Sequence, residues 1–336
     1  MSRTRILLLS DGRPGHFNLS EGIAAAVGRD GEVEINRLPV HRGKWPGPVT
    51  AFMTRSPMSS QQILKRVYRV ETASLCKADL IVSAGGETLA ANICIARHLN
   101  VPNIFYGSLR QYRASDFTLV LTSYPSQTRR APNIIQTLKP SALDPDTLSQ
   151  TNNHGMLGML LGGPSGGIAF SDDDWKTLAS VVEDTHASYG IRWVVSNSRR
   201  TPREGNVMLR KLAMRTDGPI AEFIDIESPT ADTLSELFAK TNSVVCTADS
   251  SSMISEAVWA RKPVIAVEPA KFFLTQNEQD YRSWLSHNRW AASVKISQLE
   301  AALLPQLLEE IRPLSHNPLD DLAKILREKL PLHESR

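Results

Sequence analysis

At 336 residues the chain is longer than one hydrophobic core usually holds, and two domains of about 150 residues each are expected. Hydrophobic residues make up 41% and charged residues 22%, which excludes a disordered chain, and a net charge of +3 gives no ground for a nucleic-acid partner. Three isolated cysteines, Cys76, Cys94 and Cys246, exclude a disulfide framework and a zinc module and fit buried thiols in a reducing compartment.

The first apolar run, 6–9, ends at Ser10-Asp11-Gly12. It is too short for a signal-peptide core and reads as a buried strand. A helix is expected over 19–27. Strands follow at 32–38, 80–83, 103–106 and 118–122, with helical patterns at 62–73 and 88–99. Residues 124–154 are rich in Pro, Ser, Thr and Asn and read as the linker. The pattern then restarts. Strands are expected at 156–161, 192–196, 221–225, 243–247 and 263–267, with a helix over 175–189 that starts at the acidic run Asp172–Asp174. Strand alternating with helix implies parallel sheets covered on both faces. The expected domains are 1–140 and 155–315, with 316–336 as a C-terminal helix packing back on the first domain. No run of about 18 apolar residues occurs, so no membrane span is expected, and the expected location is the cytoplasm.

Five loops carry chemistry. Ser10-Asp-Gly-Arg-Pro-Gly-His16 follows the first strand; Gly12 and Gly15 permit tight turns, and His16 projects at a strand's C-terminal end. The spacing is neither the dinucleotide fingerprint nor a Walker loop. Ser83-Ala-Gly-Gly-Glu-Thr88 repeats the arrangement; Gly85 and Gly86 serve either a structural turn or close ligand approach. Leu161-Gly-Gly-Pro-Ser-Gly-Gly167 opens the second half, as a diphosphate cradle with Gly162, Gly163 and Ser165, as a hinge, or as both. In Ser196-Asn-Ser-Arg-Arg-Thr-Pro202, Ser198, Arg199, Arg200 and Thr201 offer phosphate donors at a strand end. In Thr247-Ala-Asp-Ser-Ser-Ser-Met-Ile-Ser-Glu256, the residues Asp249, Ser250, Ser251 and Ser252 either bind phosphate or merely cap a helix, and Glu256 lies within reach of a ribose diol. No metal-ligand spacing is present.

The blocks 10–16, 198–202 and 247–257 resemble the plant "elongate mitochondria" fission-protein family and its bacterial relatives, which are read as glycosyltransferases of the two-lobed GT-B type. The resemblance implies an α/β chain of two Rossmann-like domains facing a central cleft. Gly12-x-x-Gly15-His16 is also similar to the first loop of the enzyme that adds N-acetylglucosamine to lipid I, whose corresponding loop faces the acceptor. In that wider group a helix-start Ser/Thr and a Glu hold the donor, a pattern that Ser250–Ser252 and Glu256 match. The departure is Arg13-Pro14 in place of small residues.

The expected function is therefore metal-independent glycosyl transfer, with a nucleotide sugar as co-substrate and no other cofactor. The acceptor is an envelope glycan or a lipid-linked molecule. His16 is the first candidate base, with Asp11 and Glu87 behind it. Gly12, Gly15, Gly85 and Gly86 line the acceptor side. Trp45 and Phe52, in a proline-broken segment with Met53, Met58 and flanking Lys65, Arg66 and Arg69, form either an exposed flap that contacts an anionic membrane surface or a loop packed on its own domain. The rival reading is a non-catalytic scaffold that keeps the fold. A nonhydrolysing epimerase ranks third.

Overall fold

The computed structural model describes residues 3–148, 155–228 and 233–330. The chain divides into two compact units, Met1–Leu143 with Pro318–Arg336, and Asp144–Asn317.

In the first unit the elements run β1 (Thr4–Ser10), α1 (Pro14–Val27), β2 (Val33–Pro39), α2 (Gly47–Met53), α3 (Ser60–Ile63), β3 (Leu80–Ala84), α4 (Leu89–Leu99), β4 (Asn103–Tyr106), β5 (Leu119–Thr122), α5 (Pro125–Thr128) and β6 (Ile134–Gln136). The strands form one parallel sheet in the order β2-β1-β3-β4-β5-β6. Ile6 to Leu9 and all of β3, β4 and β5 are buried, as continuous apolar runs between two helical layers must be.

In the second unit the elements are β7 (Met156–Leu160), α6 (Asp172–Tyr189), β8 (Arg192–Ser196), α7 (Arg203–Ala213), β9 (Ile220–Ile224), α8 (Leu234–Lys240), β10 (Ser243–Thr247), α9 (Ser251–Trp259), β11 (Val264–Glu268), α10 (Gln276–His287), β12 (Ala291–Lys295) and α11 (Leu303–Glu310). The sheet is again parallel, ordered β12-β11-β10-β7-β8-β9. A last helix, α12 (Pro318–Lys329), belongs to the first unit and packs on α1. Leu322, Ala323 and Leu326 are buried there, and Arg29–Asp320 (2.8 Å) and Arg327–Asp30 pair across the contact.

Four local expectations are corrected. The first helix starts at Pro14, not near residue 19, because proline is suited to the first helical turn, where its missing N–H leaves no bond unmade. The helix expected over 62–73 is only α3 continued by a π-helical turn, Leu64–Tyr68. Arg69 ends it in the left-handed region at φ 57°, with Val70 N bonded to Leu64 O at 3.2 Å. The stretch 124–154 is not all linker, since α5 and the edge strand β6 lie within it. The prolines of 46–48 do not prevent a helix; Gly47 and Pro48 begin α2. Residues 149–154 lie outside the described residues.

Gly22 explains how α1 lies so close to the chain leaving β6. A Cβ on it would meet Ser141 N at 2.5 Å and the Pro140 carbonyl carbon at 2.6 Å. Gly15, in the same helix, faces open space. Gly22→Ala is expected to cost about 1–3 kcal/mol, because backbone cannot yield as a side chain can. Gly15→Ala should be neutral or gain about 0.5 kcal/mol. Urea denaturation of the two variants checks the contrast; equal stabilities would refute it.

Candidate functional site

In each sheet the strand order reverses direction once. The first sheet reverses between β1 and β3, the second between β7 and β10. Chains leaving such neighbours diverge to opposite faces and open a crevice at their C-terminal ends, where open α/β sheets bind ligands. Nearly all the candidate residues lie at these two points.

In the first unit Asp11 follows β1 and its side chain is fully buried. It accepts from Arg13 N (3.2 Å) and contacts His16 Nδ1 at 2.8 Å. His16 is in the first turn of α1, so the short turn places its ring directly above Asp11. A carboxylate accepts only, so Nδ1 carries a proton, and in the neutral ring Nε2 is the acceptor. Gly85, at φ 88°, lies against the ring so closely that a Cβ there would overlap Nδ1. Beneath this loop Thr88 Oγ1 donates to Ser83 Oγ at 3.0 Å, Asn92 Nδ2 to the same oxygen at 2.9 Å, and Asn103 Nδ2 to Asn92 Oδ1 at 2.7 Å. All four side chains are buried, a satisfied network that stiffens the loop. Glu87 is farther out; its carboxylate is 3.7 Å from Arg13 and its carbonyl accepts from Tyr68 Oη at 2.9 Å. Gly12 takes φ 79°, which a tight strand exit requires, whereas Gly15 is simply helical.

Trp45, Val49 and Phe52 are exposed, by 37%, 39% and 70%, while Met53 and Met58 pack against the first unit's core. The segment is thus divided: the methionines anchor it and the rings face outward.

In the second unit the arrangement differs from the expected cradle. Gly162 N donates to Thr247 Oγ1 at 2.6 Å, and Gly163 N donates to Asp249 Oδ2 at 3.1 Å. These amides are occupied and do not offer themselves to phosphate. Asp249 is fully buried in its side chain and pairs with Arg200 at 2.8 Å. Arg200 Nη1 also donates to Gly163 O at 3.1 Å. So Arg200 spans two loops, and Asp249 is not a cap; the α9 cap is Ser250, whose Oγ accepts from Met253 N at 3.3 Å. Any Cβ at Gly162 would collide with Asp249, and at Gly163 with the Arg200 carbonyl. Thr201 Oγ1 donates to Leu161 O at 3.0 Å and accepts from Ser198 N at 2.9 Å, which closes the turn beside them. Ser165 and Ile168 form a two-residue hairpin around Gly166 and Gly167, and Ala169 bridges to Lys271.

Ser251 is also engaged by its hydroxyl. It donates to Glu278 and accepts from Arg282 Nη2 at 3.1 Å, and Arg282 reaches Ala248 O at 2.9 Å. Ser255 and Tyr281 share a hydrogen bond of 2.6 Å. Helix α10 thus fixes the start of α9, a role that its sequence did not advertise. What remains open is the Ser251 and Ser252 main-chain N–H groups at the helix start, the exposed Ser252 and Arg199, and Glu256. The Glu256 carboxyl has no hydrogen-bond partner among the described residues, and burial pushes it up to about 7. Among the described residues no three His, Cys, Asp or Glu side chains are grouped to hold a metal ion, and no helix is long and apolar enough to cross a membrane.

Solved structures share this architecture at low identity. MurG of Acinetobacter baumannii is 12% identical, with 97% of this chain and 99% of that chain covered at a TM-score of 0.51. The glycotransferase of kitacinnamycin is 12% identical, over 98% and 100% of the two chains, at 0.52. The UDP-GlcNAc 2-epimerase of Neisseria meningitidis, bound to UDP-GlcNAc, is 11% identical over 97% and 99%, at 0.54. These likenesses show the fold: an α/β chain of two Rossmann-like units, of the GT-B type. No curated protein matches the chain. Residues 14–329 match the family described as Mitochondrial fission ELM1, almost the whole chain, and the protein is a member of that family.

Proposed function

We propose that the protein is a glycosyltransferase that takes a nucleotide sugar on its second unit and activates an acceptor hydroxyl on its first. The observation that carries the reading is the His16–Asp11 pair at the first switch point. A buried carboxylate fixes one tautomer and leaves Nε2 free to accept a proton from a hydroxyl. In the second unit the free N–H groups at the start of α9 suit a diphosphate, with positive helix-dipole potential and no metal needed to offset the charge. Arg199 adds a mobile cation. Glu256 accepts from the ribose diol. Gly162, Gly163, Arg200, Thr201 and Asp249 are scaffold to this site, and their part is to hold the loops after β7 and β8 in place. Leaving-group stabilisation by donors fixed in advance is the main catalytic device.

The exposed residues Trp45, Val49 and Phe52, with Lys44 next to them in sequence, support delivery of the acceptor at an anionic membrane surface. Wild type is expected to co-sediment with phosphatidylserine-containing vesicles, and a Trp45→Ser, Phe52→Ser variant to lose most of that binding. Equal partitioning of both proteins would leave a soluble acceptor.

The donor site is tested by thermal shift and calorimetry with UDP-, GDP-, ADP- and CMP-sugars, since a ligand of the native state raises its stability. Glu256→Gln is expected to weaken the preferred nucleotide roughly ten- to a hundredfold, the value of a hydrogen bond to a charged group. Arg199→Ala should weaken it with the fold intact, whereas Arg200→Ala should lower stability, because it strands the buried Asp249 charge. No stabilisation by any nucleotide sugar would favour a scaffold. Deuterium gained at the sugar C2 from heavy water would favour an epimerase.

Glu256 also sets a pH dependence. Its folded-state value of about 7 lies above the ordinary 4.5, so the folded protein keeps a proton that the unfolded chain gives up. Stability from this group is complete below about 4.5 and is lost as pH rises to about 7. A diol that donates to the carboxylate favours its ionised form, so nucleotide affinity should climb across the same window. Glu256→Gln should flatten both trends; urea titrations and calorimetry at pH 5 and 8 measure them.

The base is tested at its ring. Asp11→Asn supplies an amide that donates to Nδ1 and forces the proton to Nε2. Nitrogen-15 spectra of labelled histidine should show His16 protonated at Nδ1 in wild type and at Nε2 in the variant, with turnover down roughly 10²–10⁴-fold. The same tautomer in both would remove Asp11 from the mechanism.

A further inference from the structure

Helix α10 packs beside α9 and turns Glu278, Tyr281 and Arg282 to it at helical spacing. Tyr281 shares its 2.6 Å hydrogen bond with Ser255, while Glu278 and Arg282 both hold Ser251, the first residue of α9. A guanidinium only donates and a carboxylate only accepts. The Ser251 oxygen therefore takes the Arg282 Nη2 proton at 3.1 Å and sends its own proton to Glu278. The hydroxyl is fully used, and its two partners bring opposite charges to one helix start.

Arg282 does more than touch Ser251. The same Nη2 reaches Ala248 O at 2.9 Å, so one guanidinium grips both ends of the turn 248–251 that carries the chain from β10 into α9. Ala248 N is fixed in turn on Val267 O at 2.9 Å. Arg282 Nε is closed off from solvent without a partner, so the guanidinium is inserted into the fold rather than lying in water. Burial works against its charge, and nearby acidic groups, Glu278 and Glu268 among them, work to keep it. An enclosed charge is screened less than one in water and acts strongly on whatever the α9 amides hold. The neighbouring Asp249 is already paired with Arg200.

We propose that Arg282 and Glu278 form an opposed charge pair that sets how tightly the start of α9 holds a nucleoside diphosphate: Arg282 raises the affinity and Glu278 lowers it. Both are positioning residues, acting through Ser251 and through their field across the turn. The carboxylate has a use in turnover. A nucleoside diphosphate set free by sugar transfer carries one more negative charge than its sugar ester. Glu278 therefore weighs more against the spent nucleotide than against the donor, and favours its release. The inference rests on the α9 start as the diphosphate site and is independent of the acceptor.

Calorimetry of the full chain with UDP, GDP and ADP finds the diphosphate that wild type binds most tightly, and that nucleotide is the probe. Arg282→Met keeps the length and loses the charge, and should weaken binding roughly tenfold. Arg282→Lys keeps the charge and should weaken it less. Glu278→Gln keeps an oxygen that accepts from Ser251, and should tighten binding roughly threefold, with a smaller gain for the matching nucleotide sugar. A purely structural clamp would instead give weaker binding in every variant. If Arg282→Met does not fold, the Glu278→Gln result decides alone. Unchanged or weaker binding in Glu278→Gln, equal gains for the diphosphate and its sugar ester, or undiminished binding in a folded Arg282→Met would each overturn the charge pair. Binding of no diphosphate by wild type is a different failure: it removes the donor site itself, and this inference with it.

Discussion

Each switch point is organised by a buried carboxylate. Asp11 stands at the end of β1 and Asp249 just beyond β10, and both side chains are fully enclosed. A charge in such a place is tolerable only if donors surround it. Asp11 takes the His16 ring and the Arg13 amide. Asp249 takes Arg200 and the Gly163 amide on Oδ2, while its buried Oδ1 has no partner among the described residues. Because these donors come from neighbouring segments, satisfying one carboxylate fixes the geometry of a whole loop set. In the first unit this orients an imidazole. In the second it ties the loops after β7, β8 and β10 into one body.

That constraint divides the polar residues of the second unit into two groups. Gly162, Gly163, Arg200, Thr201 and Asp249 bond to one another or to neighbouring backbone. Residues at the start of α9 that face away from it keep open N–H groups. Helix α10 completes the division, since Glu278 and Arg282 take up the Ser251 hydroxyl and leave its amide. The glycines belong to the scaffold as well. At Gly162 and Gly163 the Asp249 carboxylate and the Arg200 carbonyl occupy the space a side chain would need.

Preorganisation is the common theme of both units. The network of Ser83, Thr88, Asn92 and Asn103 holds the Gly85 loop against His16 without help from solvent. The ring is therefore held in a fixed direction before any ligand arrives.

Much of the fold was legible in the sequence because central parallel strands are buried on both faces. Their apolar runs at 103–106, 192–196 and 243–247 announce themselves without any partner being known. Edge strands do not: β6 has three residues in a proline-rich stretch, and in β12 only Ala291 is buried, so neither stood out. The loops of the site were legible too, since Gly, Ser and Asp clusters after a strand mark turns at the ligand-binding end of a sheet. The sequence by itself therefore determined the fold class, the strand-end loops and the identity of His16, Arg199 and Glu256 as candidates. Only the tertiary structure decided which polar groups stay free. A hydrogen bond already made across 86 residues, as between Gly163 and Asp249, leaves no trace in local spacing. For the same reason the part Arg282 plays at the start of α9 emerged only when distant segments were brought side by side.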